Sequence, residues 1–251
     1  MKSYALLAIA FISLTLAQND CSGKTLKSDT TLKIWNRNVI VQFPNGFGSK
    51  PAPLLINYHP FLGSASQWKS GSQTARAALA DGAVVAFMDG ASGLMGQAWN
   101  VGPCCTDADD VQYTRDFIKE ITSKACVDPK RIYAAGFSMG GGMSNYVGCF
   151  LADVIAAAAS SAFDLAKEIV DAGKCKPARG FPILNFRGTQ DNIVMSMVVS
   201  LQLFQVNQLL SWVLKTTSMN GLKWMVVLVL QRLTHQVTTV KCMKTVKMVL
   251  R

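Results

Sequence analysis

Apolar positions along this chain gather into short runs, broken by polar, glycine- and proline-marked stretches. Leu32-Lys33-Ile34-Trp35 and Val39-Ile40-Val41-Gln42-Phe43 are alternating segments, which predict an antiparallel pair of half-buried strands at the start of a sheet. Pro44-Asn45-Gly46-Phe47-Gly48 predicts a turn. Pro53-Leu54-Leu55-Ile56-Asn57-Tyr58, Ala83-Val84-Val85-Ala86-Phe87-Met88 and Ile132-Tyr133-Ala134-Ala135 are near-continuous apolar runs. Strands covered on both faces read this way. Residues 72–80 and 109–124 predict helices. The second is expected to be capped by Thr106 or Asp107, with Asp109 and Asp110 placed in its first turn to suit the helix dipole. Asp128-Pro129 predicts a turn, and residues 154–160 and 183–186 predict two more strands. Strands and helices alternating in this order make a mostly parallel sheet flanked by helices.

Composition changes this picture at both ends. The chain has 251 residues, enough for one α/β domain with a substantial core. Lys2 precedes an apolar run over residues 5–16, and Thr15-Leu16-Ala17 leads into the polar Gln18-Asn19-Asp20. That pattern predicts a secretory signal peptide over residues 1–17, with an apolar run too short to span a bilayer. Export permits disulfides. Of the seven cysteines, those from Cys104 to Cys175 are expected to form bridges, with partners left open. No Cys-x-x-Cys pair occurs and there are two histidines, so a zinc site is not expected. The net charge of +10 suggests nucleic acid until it is located. Residues 1–191 hold 18 Lys/Arg and all 15 acids, a net of +3, whereas residues 192–251 hold 7 Lys/Arg and no acid. The basicity belongs to the tail, and neither a nucleic-acid nor a membrane partner is expected.

The chemistry centres on Gly136-Phe137-Ser138-Met139-Gly140-Gly141-Gly142, which follows an apolar strand and opens a run of small residues suited to a helix. Gly-x-Ser-x-Gly in that setting is a nucleophile elbow, in which a strained strand-to-helix turn lifts the serine hydroxyl clear of the sheet. Ser138 is the expected nucleophile, and the helix N-terminus behind it supplies backbone N–H groups and a positive dipole end to a developing oxyanion. The strand ending at Tyr58 feeds His59-Pro60-Phe61-Leu62-Gly63, where the N–H of Phe61 or Leu62 is the expected second donor. His59 precedes the serine, so it reads as a hydrogen-bonding residue at a strand end and not as the base, which in this fold follows the acid. Trp99 in the loop over residues 91–105 either lines an aromatic substrate pocket or packs in the core. His59 and Trp99 are the candidate substrate-binding residues. Arg187-Gly188-Thr189-Gln190-Asp191 follows the last strand.

Taken as a set, these motifs resemble the secreted feruloyl esterases of the polyhydroxybutyrate-depolymerase-like (esterase D) branch of the α/β-hydrolases. The matching residues are His59-Pro60-x-x-Gly63, Gln97-Ala98-Trp99-Asn100, Asp109-Asp110-Val111, the Ser138 elbow and Arg187-Gly188-Thr189-Gln190-Asp191. In the last of these the wider family has His where Arg187 stands. The resemblance implies an α/β-hydrolase fold over residues 18–194, with Ser138 as nucleophile, Asp191 as the triad acid and the N–H of Met139 as one oxyanion donor, and a monomer that needs no cofactor. It implies release of ferulate or related hydroxycinnamic acids from feruloylated plant cell-wall arabinoxylan. Acetylxylan esterase and polyester depolymerase are the neighbouring activities. A secreted, non-catalytic remnant is the alternative of a different class.

Beyond residue 194 the resemblance stops, and the C-terminal part of the fold is expected to be disrupted. Residues 195–251 contain no proline, one glycine and no acid. Methionine and tryptophan have single codons ending in G, which makes a shifted frame testable on paper. Read one base earlier, Met219-Asn220 yields Glu, Trp224-Met225 yields Asp and Met225-Val226 yields Gly. Ser196-Met197-Val198-Val199 permits Tyr-Gly-Gly. Acids and glycines thus return where the written frame has none, and residues 195–251 read as an out-of-frame tail. The catalytic histidine of the family is then absent, and His235, within the tail, is not expected to replace it. Resequencing the transcript from the codon for Asp191 through that for Ser200 and past the stop is expected to find one base displaced. An unchanged sequence there would overturn this reading.

Overall fold

The computed structural model describes residues 21–93, 95–102, 105–188, 191 and 193, together with the backbone of residues 216–219 and 222–230. The expected signal-peptide segment, Cys104, Thr189, Gln190 and His235 lie outside the described residues. Strands β1 (Thr30–Ile34) and β2 (Arg37–Gln42) form the expected antiparallel hairpin. The apolar runs become β3 (Ala52–Tyr58) and β4 (Val84–Met88). Between them lie two helices, α1 (Ala65–Gly71) and α2 (Gln73–Ala80). The second is the expected one. Ser72 caps it by accepting the Ala75 N–H, and the same residue closes α1.

After β4 the chain makes a small hairpin, β5 (Ala91–Gly93) with β6 (Gly96–Ala98), where a loop was expected. Helix α3 (Asp110–Lys124) follows, and its cap differs from expectation. Asp109, not Thr106 or Asp107, is the N-cap and accepts the Gln112 N–H at 2.9 Å. The Asp128-Pro129 turn is absorbed as an irregularity within β7 (Val127–Phe137), whose pairing with β3 shifts register between Ala52 and Leu54. Then come α4 (Met139–Phe150), β8 (Ala157–Ser161), α5 (Lys167–Asp171) and β9 (Pro182–Gly188). Two further strands, β10 (Thr216–Met219) and β11 (Leu222–Leu230), fall in the tail.

The sheet order is β1-β2-β4-β3-β7-β8-β9-β11-β10, with β4, β3, β7, β8 and β9 mutually parallel. This is the α/β-hydrolase fold. β11 lies antiparallel on the free edge of β9, pairing Trp224 with Gly188 and Leu230 with Pro182. Edge pairing of this kind uses only backbone groups, so it places few demands on which sequence supplies the strand.

Period-two alternation along β3 divides the core. Leu54, Ile56 and Tyr58 join Tyr113, Phe117 and Ile121 of α3 and Met143 and Val147 of α4. Leu55 faces the other way, onto Ala65 and Ala75 of α1 and α2 with Val85 and Phe87. Disulfides Cys21–Cys126 and Cys149–Cys175 tie the N-terminal segment and α4 to their surroundings, and Cys105 is also disulfide-bonded. Among the described residues no helix is long and apolar enough to cross a membrane.

Asp110 anchors α3 to β2. It is 2% exposed, pairs with Arg37 and accepts the Asn100 N–H at 2.7 Å, while the Arg37 guanidinium sits 3.5 Å from the centre of the Tyr113 ring. Asp110→Ala would leave Arg37 without its counter-charge and is expected to lower unfolding free energy by about 3–5 kcal/mol. Urea denaturation checks this, and a loss below about 1 kcal/mol would mean that the pair does not anchor the helix.

Candidate functional site

Ser138 stands between β7 and α4 with φ 52° and ψ −127°, outside the regions open to most residues. A backbone held there costs about 1–3 kcal/mol and persists only where its surroundings enforce it. Here they do. A Cβ on Gly136 would lie 2.1 Å from the Gly140 carbonyl oxygen, and one on Gly140 would lie 2.2 Å from that of Tyr58. One on Gly141 would lie 2.5 Å from the Ser161 oxygen. The three glycines therefore let α4 come down directly onto the ends of β3, β7 and β8. The Ser138 N–H donates to the Ser161 carbonyl at 2.9 Å, and the Ser138 carbonyl accepts from Gly142 at 3.1 Å. Its side chain makes no cap hydrogen bond and is only partly buried.

The loop after β3 supplies the opposite wall. Leu62 donates its N–H to the Gln97 carbonyl at 3.0 Å. Of the two candidate oxyanion donors on this loop, Phe61 and Leu62, Leu62 is therefore excluded, because its hydrogen is already spent. Neither Phe61 nor Met139 gives its backbone N–H to a partner among the described residues. Leu62 instead holds the loop shape, with φ 64° and a side chain 49% exposed.

His59 and Trp99 are corrected from substrate-binding wall to scaffold, since both are fully buried. The His59 Nδ1 lies 2.7 Å from the Pro60 carbonyl, which can only accept, so Nδ1 carries the hydrogen. Nε2 then accepts the Gly90 N–H at 2.9 Å. Both nitrogens are engaged by a neutral ring. Burial pushes the imidazole below its ordinary pKa, against the opposing pull of the Pro60 carbonyl, the Asp89 charge and Gln97. Trp99 donates its indole N–H to the His59 carbonyl at 2.9 Å and its backbone N–H to the Met139 sulfur at 3.3 Å. Asp89 accepts from Ala65 N and Asn38 Nδ2, so the ends of β2, β3 and β4 are linked in one rim. Sequence reasoning passed over Asp89, Gly90 and Gln97 as linking residues. Their partners lie on other strands, and no local pattern marks them.

Asp191 follows β9, two strands from β7 across β8, a lateral offset of about 10 Å at ~4.8 Å per strand. Its Oδ1 accepts the Ile193 N–H at 3.0 Å, and its N–H reaches the Gly188 carbonyl at 3.3 Å. Arg187, on the strand behind it, is 5% exposed and pairs with Asp164, while its Nη1 has no partner among the described residues. Burial lowers the Arg187 pKa, partly offset by the Asp191 charge. Among the described residues no group of three or more His, Cys, Asp or Glu is placed to hold a metal.

No family model matches the chain. It is 86% identical over 160 residues to Feruloyl esterase B of Piromyces equi, covering 63% of this chain and 30% of that protein. It is 26% identical over 158 residues to the bifunctional acetylxylan esterase/xylanase XynS20E of Neocallimastix patriciarum, covering 63% of this chain and 22% of that one. Among solved structures, an acetyl xylan esterase from Aspergillus awamori overlays with a TM-score of 0.46 at 19% identity, over 53% of this chain and 51% of that one. The chain thus spans less than a third of the length of these two curated relatives.

The lowered His59 pKa sets a pH dependence. A group protonated less readily when folded stabilises the fold above its unfolded pKa, about 6.5, and that stability is lost as pH falls toward the folded value. Urea midpoints of the wild type are therefore expected to drop between pH 7.5 and 5 more steeply than those of His59→Gln. Parallel curves would show that His59 titrates alike in both states.

Proposed function

We propose that this chain is the acyl-transfer part of a secreted serine carboxylesterase of the feruloyl esterase type. The observation that carries the reading is Ser138 itself, held at φ 52° on the N-terminus of α4, while the N–H groups of Met139 and of Phe61 on the loop after β3 go to no partner among the described residues. Ser138 attacks the ester carbonyl, and those two N–H groups receive the oxyanion. Asp191, which follows β9 at the same edge of the sheet two strands from Ser138, is the acid that orients an imidazole in such a triad. The 86% identity to a feruloyl esterase supports ferulate or a related hydroxycinnamate as the acyl group and arabinoxylan as the carrier. His59 and Trp99 position the oxyanion loop and do not touch substrate.

A specific observation also favours an impaired form. The one histidine among the described residues, His59, is buried with both nitrogens engaged, so none of them offers Ser138 a base. The purified chain is expected to turn over methyl ferulate several orders of magnitude more slowly than an intact triad enzyme, from the donors and binding alone. Added imidazole is expected to raise its rate and to leave Ser138→Ala unchanged. Full turnover without imidazole would refute the missing base. Imidazole rescue on acetyl esters in preference to methyl ferulate would move the assignment to acetylxylan esterase.

A further inference from the structure

The turn joining β1 to β2 contains Trp35 and Asn36, with φ 50° and 63°. Two successive left-handed residues make the tight hairpin turn that asparagine and glycine fill cheaply. A tryptophan there is a costly choice. It is also not used to bury the ring. The Trp35 side chain stays 48% exposed, although it lies beside Tyr113 with centroids 6.1 Å apart. Its orientation is nonetheless set. Nε1 donates to Asp116 Oδ2 at 3.0 Å, and Asp116 Oδ1 in turn accepts from Gln112 Nε2 at 2.8 Å.

Position gives this ring its meaning. β2 runs antiparallel to β4, pairing Val39 with Met88, so the β1–β2 turn projects past the C-terminal end of β4. Ser138, the Phe61 loop and Asp89-Gly90 follow the C-terminal ends of β7, β3 and β4 on that same edge. Trp35 therefore stands on the rim of the Ser138 site, three strand spacings or about 14 Å to one side. The Arg37–Asp110 pair and the Asn38–Asp89 bond keep it at a fixed offset.

We propose that Trp35 is an aromatic platform for a pyranose ring of a polysaccharide chain whose esterified residue lies at Ser138. A half-exposed indole held by its hydrogen bond beside the polar groups of Gln112 and Asp116 matches a sugar, whose C–H face stacks and whose rim hydroxyls seek hydrogen bonds. The proposal rests on the esterase reading for its direction, but binding can be measured without turnover.

Native gels cast with soluble arabinoxylan, against gels with dextran, test it. The wild-type chain is expected to be retarded by arabinoxylan only. Trp35→Asn relieves the turn, so folding is not at stake, and it is expected to lose about tenfold in apparent affinity. Trp35→Phe, which keeps a ring, is expected to retain most of the retardation. Equal retardation of Trp35→Asn and wild type, or none for the wild type, would overturn the platform. Retardation that depends on Trp35 in a chain whose Ser138 acylates with no ester even when imidazole is added would uphold the platform and sink the esterase reading.

Discussion

Backbone meeting backbone at the foot of α4 is the contact on which the site depends. Gly136, Gly140 and Gly141 have no room for a Cβ, so the helix N-terminus sits against the ends of three strands. That approach forces Ser138 into its left-handed conformation and leaves the first N–H groups of α4 pointing out beside its hydroxyl. It also explains the composition of β8, Ala-Ala-Ala-Ser-Ser. Small residues there let the helix settle, and the Ser161 carbonyl holds the Ser138 N–H.

The second layer is polar and buried. His59, Trp99, Asp89, Asp110 and Arg37 lie largely out of water, and their hydrogen bonds run between strand ends. Networks of this kind contribute modestly to net stability, because desolvation offsets most of the attraction, but breaking one leaves an uncompensated group inside. Their effect here is to make loops behave as rigid parts. The Phe61 loop is fixed from one side by Gln97, from beneath by Trp99 and from behind by the His59–Gly90 bond.

Much of this was legible residue by residue, and the failures have physical causes. The elbow could be read because strand, glycines and serine are contiguous. The helices α1 and α5 escaped because seven and five residues are too few to display an apolar period. The β5–β6 hairpin escaped because three-residue strands carry no alternation. The α3 cap moved to Asp109 since four capping-type residues, Thr106, Asp107, Asp109 and Asp110, compete within five positions, and burial of Asp110 against Arg37 decides among them. Leu62 was a fair candidate donor until Gln97, 35 positions away, took its hydrogen.

The sequence by itself determined the strand segments, the order of strand and helix, the elbow that carries the candidate nucleophile Ser138 and the break in character after residue 194. Each of these is a local matter of periodicity, glycine placement or composition. Tertiary structure alone decided what distant residues do for one another: that His59 is a neutral strut, that Leu62 spends its N–H on Gln97, that Asp191 lies two strands from Ser138, and that Trp35 shares their edge. Such roles depend on which strands become neighbours and in what register, and that follows from packing the whole sheet at once.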